Sequence, residues 1–311
     1  QLGLFDSSMM VIGIVIGSGI FMTTGLMADA LPSASLILIV WVLGGIQMIA
    51  GALTFAELGA AMPRAGGQYV YLREAFGHLP AFLFGWVAFS AYVTGTNAAI
   101  AVAIAEHLGS FYPSLLTHSN LVNIGDFGLS VGQLVAVSLL VVLSVVNYLG
   151  VILGKWVQNI FTVLKIGSIL LFALAGIFIS TGNQINFSLN PTGMGFGSII
   201  TGIGIALVAV NWTVGGWEYV TFTAGEIKNP KRNLPLALFI GTLVILVLYL
   251  LINITYLKAL PMNALAGEIK VGEATAKALY GQDIAGLFII VVIISMFGAL
   301  NGNILVGARV T

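Results

Sequence analysis

The chain has 311 residues, 59% hydrophobic and 7% charged, against about 25% charged in a soluble domain. Eleven basic and eleven acidic residues cancel to a formal net charge of zero. So few charges exclude a soluble enzyme and a disordered protein, and the missing positive charge excludes a nucleic-acid binder. The mean hydropathy of +1.08 agrees, and with no cysteine there are no disulfides, thiolate metal sites or cysteine nucleophiles.

A membrane helix needs about 20 mostly apolar residues. Charge-free stretches predict eight spans, at 4–28, 33–61, 80–108, 131–150, 156–179, 196–224, 234–257 and 282–311. The fifth and sixth share one long stretch, divided by the polar segment from Ser180 to Gly193. The loops at 62–79, 150–155 and 225–233 carry Arg64, Arg73, Lys155, Lys228, Lys231 and Arg232. Those at 29–32, 109–130 and 180–195 carry no Lys or Arg. Positive loops stay inside, so the N-terminus is expected in the cytoplasm. An amphipathic pattern at 62–79 predicts a short helix on that face, and the 258–281 loop has room for another that caps the outer entrance. The last span runs to Thr311 with no loop after it, and the natural protein is expected to extend further.

The first span contains Gly13-Ile14-Val15-Ile16-Gly17-Ser18-Gly19-Ile20-Phe21. Each glycine weakens a helix by about 1 kcal/mol relative to alanine. Two readings stand: close packing against neighbours, or a discontinuous helix whose freed N–H and C=O groups hold the ends of a zwitterion. The sixth span repeats the pattern with Asn211-Trp212-Thr213-Val214-Gly215-Gly216-Trp217-Glu218-Tyr219. Two glycine-interrupted spans five helices apart fit two inverted five-helix repeats, which favours the discontinuous reading.

Lys165 stands ten residues beyond Lys155, about 15 Å deeper along a helix. A lysine at that depth is costly and marks function more readily than snorkelling. Glu218 is eight residues before Glu226, where it either lines an inner vestibule and titrates or sits in interfacial water. Tyr92, Thr94, Thr96 and Asn97 place polar groups along the third span, and Asn301 and Asn303 along the eighth. Glu57, Arg64, Arg73, Glu226 and Lys231 form an expected cytoplasmic layer. His78, His107 and His118 lack metal-ligand spacing, so no metal or cofactor is expected.

Gly17-Ser18-Gly19-Ile20-Phe21, together with Glu57-Leu58-Gly59, Pro63, Gly66-Gly67-Gln68-Tyr69 and Tyr71, resembles the amino acid–polyamine–organocation (APC) transporter superfamily. Gly215-Gly216-Trp217-Glu218-Tyr219, Glu226, Asn229-Pro230-Lys231-Arg232-Asn233-Leu234-Pro235 and the run from Gln158 to Lys165 resemble its L-type amino-acid transporter (LAT) branch. The resemblance implies an all-α polytopic membrane protein with the LeuT-like inverted five-helix repeat, eight of twelve helices being present. Residues 1–180 would form the first repeat and 181–311 an incomplete second.

It also implies roles. Backbone N–H groups of Gly17, Ser18 and Gly19 would hold the substrate carboxylate, and Ile14 would also line the substrate site. Val210, Trp212, Thr213 and Gly215 would take the ammonium side, with Trp212 as an aromatic gate rather than a packing residue. Lys165 would fill the place of a sodium ion, giving sodium-independent exchange of small neutral L-amino acids across the cell membrane. The alternative is a proton-coupled symporter working through Lys165 or Glu218. An intramembrane enzyme lacks its motifs here, and a channel lacks a symmetric pore or charged ring. Animal LAT members carry a disulfide-linked glycoprotein, with the cysteine in the third-to-fourth loop. No cysteine is present, so a free-standing, prokaryotic-type protein is expected.

Overall fold

The computed structural model describes residues 1–113, 120–124, 127–149, 151–179, 185, 187–189 and 193–309. The first span is not one helix. It runs as α1 (Leu4–Val15), a 3-10 turn (Gly19–Phe21) and α2 (Thr23–Ala30). The second is α3 (Ala34–Ala61), started by Ser33, whose hydroxyl accepts from the Leu36 N–H at 3.4 Å. The expected surface helix is α4 (Gln68–Phe76). The third span, α5 (His78–Val87) and α6 (Val93–Gly109), is joined through a π-helical turn at Ala88–Tyr92. A short hairpin follows, β1 (Asn120–Ile124) against antiparallel β2 (Phe127–Ser130). It was not expected from the sequence.

Helix α7 (Val131–Tyr148) opens on a capping box, in which Ser130 and Gln133 each accept the other's backbone N–H, at 3.2 and 3.0 Å. The fifth span is α8 (Val151–Ile179), and the sixth is α9 (Phe196–Val214) followed by a 3-10 segment (Trp217–Glu226). Then come α10 (Pro230–Ala259), the short α11 (Met262–Leu265) and α12 (Val271–Tyr280), and α13 (Gln282–Gly307). Seven of these helices are long and apolar enough to cross a membrane, and the broken α1–α2 makes the eighth span.

Helix α1 lies at the centre, packed against α8, α10 and α13. Its residues Met10, Val11, Ile12 and Ile14 are buried. Gly13 permits the approach to α8: a Cβ there would stand 2.0 Å from Gln158 Nε2 and 2.3 Å from Thr162 Oγ1. Small residues substitute for the hydrophobic effect as the cause of tight packing in lipid. Outward faces of α3, α5, α7 and α9 expose Ile46, Trp86, Val141 and Val208, as a lipid-facing surface requires.

Candidate functional site

The two glycine-rich segments are both unwound, and they meet. Helix α1 stops at Val15 and regular structure resumes at Gly19, while α9 stops at Val214. Gly215 is extended at φ −65° and ψ 157°, and Gly216 is left-handed at φ +100°, a conformation open to glycine at little cost. The breaks are joined by a hydrogen bond between Thr23 Oγ1 and Thr213 Oγ1 at 2.5 Å. Thr213 donates to the Ala209 carbonyl at 2.9 Å, so Thr23 is the donor of the pair.

Breaking a helix in lipid frees backbone groups that must find other partners. On α1 the carbonyls find them. Lys165 Nζ donates to Gly13 O, Ile16 O and Ser295 O, each at 2.8 Å. An ammonium has three hydrogens, and three converging carbonyls take all of them. Ser295 Oγ donates to Ile16 O at 3.0 Å, and the Tyr249 hydroxyl to Val15 O at 3.2 Å. Lys165 is fully buried, so snorkelling to an interface does not describe it. The opposite groups stay open: the N–H groups of Ser18 and Gly19 make no hydrogen bond to a described residue. The carbonyls of Thr213, Val214 and Gly215 accept no backbone hydrogen bond among the described residues.

Between the breaks lies a cavity of about 160 Å³. Ile14, Gly17, Ser18, Gly19, Trp212, Thr213 and Gly215 line it, as the sequence leads one to expect. Val210 does not. It is fully buried and faces α3, its Cγ1 2.4 Å from where a Cβ on Gly44 would stand. The helix has not yet unwound at Val210, and its rotation turns that side chain toward α3. Trp212 borders the cavity but is 68% exposed.

Four further wall residues are Tyr92 and Thr96 from α5–α6 and Ala299 and Asn303 from α13. Thr94 and Asn97 instead line a separate cavity with Leu140 and Ser144 of α7. Asn301 turns away, donating to Gln158 Oε1 at 3.0 Å and to Gly154 O at 3.3 Å. Ser295, Ala299 and Asn303 are spaced by four, one face of a helix. Tyr92, Thr96 and Asn303 are among the polar residues singled out from the sequence, and the spacing from Asn303 is an available signal for the missed Ser295 and Ala299. Tyr219 also lines the site, whereas Glu218 turns back, its Oε2 accepting from the Gly216 N–H at 3.1 Å. No charged side chain lines the cavity, and no cluster that would hold a metal occurs among the described residues.

The sequence and the fold both have counterparts among known proteins. A family model for amino acid permeases matches residues 2–311. The chain belongs to the amino acid permease family. It is 31% identical over 313 residues to the mouse b(0,+)-type amino acid transporter 1, covering 99% of this chain and 61% of that one. It is 32% identical to the serine/threonine exchanger SteT of Bacillus subtilis, covering 100% and 67%. It is 30% identical to the mouse large neutral amino acids transporter small subunit 2, covering 99% and 57%. These similarities place the permease in the LAT branch of the APC superfamily. The chain thus spans about three fifths of the length of the curated relatives it matches. Among solved structures, Mhp1, a nucleobase-cation-symport-1 family transporter in a closed conformation, covers all of this chain and 66% of its own, with a TM-score of 0.51 and 16% identity. The shared fold is LeuT-like.

At the end that carries the N-terminus, polar contacts tie α1 to α8 and the segment after α13 to Glu226. Lys155 Nζ lies 3.1 Å from Asp6 Oδ2, and Asn159 donates to Asp6 Oδ1 at 2.7 Å, fixing α1 to α8. Leu2 forms a single backbone bridge with Ile227, and Arg309 after α13 bonds Glu226 at 2.6 Å. Of the expected charged layer, only Glu226 joins this network. Arg73 pairs with its neighbour Glu74, and Glu57, Arg64 and Lys231 are exposed. The absence of native cysteine from the chain makes the latch testable. Asp6→Ala is expected to raise the modification rate of Ser7→Cys by about tenfold, since charge-assisted bonds of this kind contribute about 1.5–3 kcal/mol. Ser7 is fully buried here. Equal rates with and without Asp6 would mean the latch does not hold the helix.

Proposed function

We propose that the permease exchanges small neutral L-amino acids across the cell membrane, independently of sodium, by alternating access. The observation that carries this reading is the Lys165 ammonium held by the carbonyls of Gly13, Ile16 and Ser295. A fixed positive charge lies behind the first break, where a cation-coupled relative would need a mobile one. The substrate carboxylate then meets the open N–H groups of Ser18 and Gly19, at the positive end of a half-helix. Its ammonium faces the carbonyls of the second break, from Thr213 to Gly215. Ile14 and Gly17 floor the cavity, and Trp212 closes over it as the gate. A cavity of about 160 Å³ with no charged wall suits a small neutral side chain. The serine/threonine exchanger among the relatives supports a small substrate, and the large neutral amino acids transporter subunit supports a neutral one without supporting its size.

In this reading 1–180 is the first inverted repeat and 181–311 an incomplete second, and the N-terminus is cytoplasmic. No disulfide-linked partner is needed, because the chain offers no cysteine. Glu218 sits on the break itself, with a bond to Gly216 N. That contact keeps a proton-coupled symporter as the second reading.

The test follows labelled alanine into liposomes bearing the full gene product, in sodium-free buffer. Uptake into vesicles preloaded with alanine, and not into empty ones, is the expected result. Uptake into empty vesicles under an inward proton gradient would replace exchange with symport. A requirement for sodium would overturn the role given to Lys165.

A further inference from the structure

The eighth span carries two buried asparagines, and their amides are used differently. Asn301 is fully paired. Its Nδ2 donates to Gln158 Oε1 at 3.0 Å and to Gly154 O at 3.3 Å, while its Oδ1 accepts from Asn147 Nδ2 at 3.0 Å. Asn303 is only 4% exposed, yet its Oδ1 meets no hydrogen-bond partner among the described residues. Buried amide oxygens are paired as a rule, and one left open is costly. The side chain that breaks this rule stands on the wall of the central cavity.

Other polar groups of that wall already have partners. Thr96 Oγ1 donates to the Tyr92 carbonyl at 2.8 Å. Thr213 Oγ1 donates to Ala209 O and accepts from Thr23. Ala299, one turn before Asn303, is apolar and lies against the first break, its Cβ 3.8 Å from where a Cβ on Gly17 would stand. Gly302, the neighbour of Asn303, meets Ile14, whose Cγ1 lies 2.6 Å from the place of a Cβ there. Asn303 therefore stands on the Ile14 side of the cavity. It is away from the N–H groups of Ser18 and Gly19 and from the carbonyls of the second break, which take the two charged ends of the substrate. What reaches Asn303 is the substrate's side chain. A carboxamide offers an acceptor and a donor, and a hydroxyl is both at once. The hydroxyl of serine or threonine thus pairs with the amide in either orientation. A methyl group in the same place leaves the amide unpaired. A site built to bond a hydroxyl rejects the analogue that lacks it.

We infer that Asn303 is the specificity-determining residue of the central site and selects amino acids with a side-chain hydroxyl. The inference rests on the transport reading above and narrows its substrate class. The test uses liposomes preloaded with alanine and supplied with labelled alanine in sodium-free buffer. Unlabelled serine, alanine, threonine or valine is added outside as inhibitor. Threonine and valine share one shape and differ by a hydroxyl against a methyl, which separates hydrogen bonding from size. Serine is expected to inhibit at about tenfold lower concentration than alanine, and threonine than valine, as one neutral hydrogen bond allows. In Asn303→Leu both ratios are expected to fall to within about twofold of unity, and Asn303→Ala reads the same ratios should the leucine variant not fold. Parental ratios near unity would overturn the inference without any variant. So would a variant in which all inhibitors weaken alike and the ratios persist, since that marks a structural role. Loss of exchange in the unmodified protein would overturn the transport reading and this inference together; exchange without the hydroxyl preference overturns this one alone.

Discussion

Lys165→Met is expected to abolish exchange, with initial rates in preloaded liposomes lowered at least ~100-fold. Three carbonyls, Gly13, Ile16 and Ser295, each give the ammonium a 2.8 Å hydrogen bond in a fully buried site. Truncation leaves all three without that donor, and each unpaired buried acceptor costs about 1–3 kcal/mol. Ile16 keeps a bond from Ser295 Oγ at 3.0 Å, which offsets only part of the loss. The carbonyls belong to α1 and α13, so the lysine joins three helices, and its removal loosens the first break from α8. Lys165→Arg is expected to fail as well. A guanidinium presents its donors in a planar fork, whereas these acceptors converge on one point. Exchange by either variant above half the normal rate would show that the charge behind the break is dispensable.

Gly216→Val is expected to lower exchange at least ~10-fold and to reduce thermal stability in detergent. At φ +100° a β-branched residue pays about 1–3 kcal/mol in backbone strain. Its Cβ would also stand 3.0 Å from Ile14 Cγ2, pressing the second break against α1. The N–H that bonds Glu218 would be displaced with it. Gly204→Ala on α9 supplies the control. A Cβ there meets nothing within 4 Å, and stability should stay within about 0.5 kcal/mol of the parent. A Gly216→Val protein with parental exchange and melting temperature would mean that the break tolerates other backbones.

Much of this is legible in the sequence. Eight spans came from charge-free length, because lipid imposes one thickness on every helix. The breaks at Gly17–Gly19 and Gly215–Gly216 stood out as glycine clusters, and both are unwound. Lys165 stood out by depth, since an intramembrane charge is too costly to keep without partners. Seven of the eight expected substrate positions border the cavity.

The exceptions share one cause. A membrane helix is apolar on all sides, so hydropathy does not say which side faces protein. Val210 looked like a break residue and faces α3. Asn301 and Asn303 looked equivalent, yet Asn303 lines the cavity and Asn301 bonds α8. Composition and spacing by themselves determined a membrane protein with two broken helices and a buried lysine, because those features have local energetic causes. The tertiary structure alone decided that Ser295, 130 residues from Lys165, supplies its third acceptor, and that Asp6, Glu226 and Arg309 tie one end together. Those pairings depend on helix rotation and long-range packing, which no local run of residues encodes.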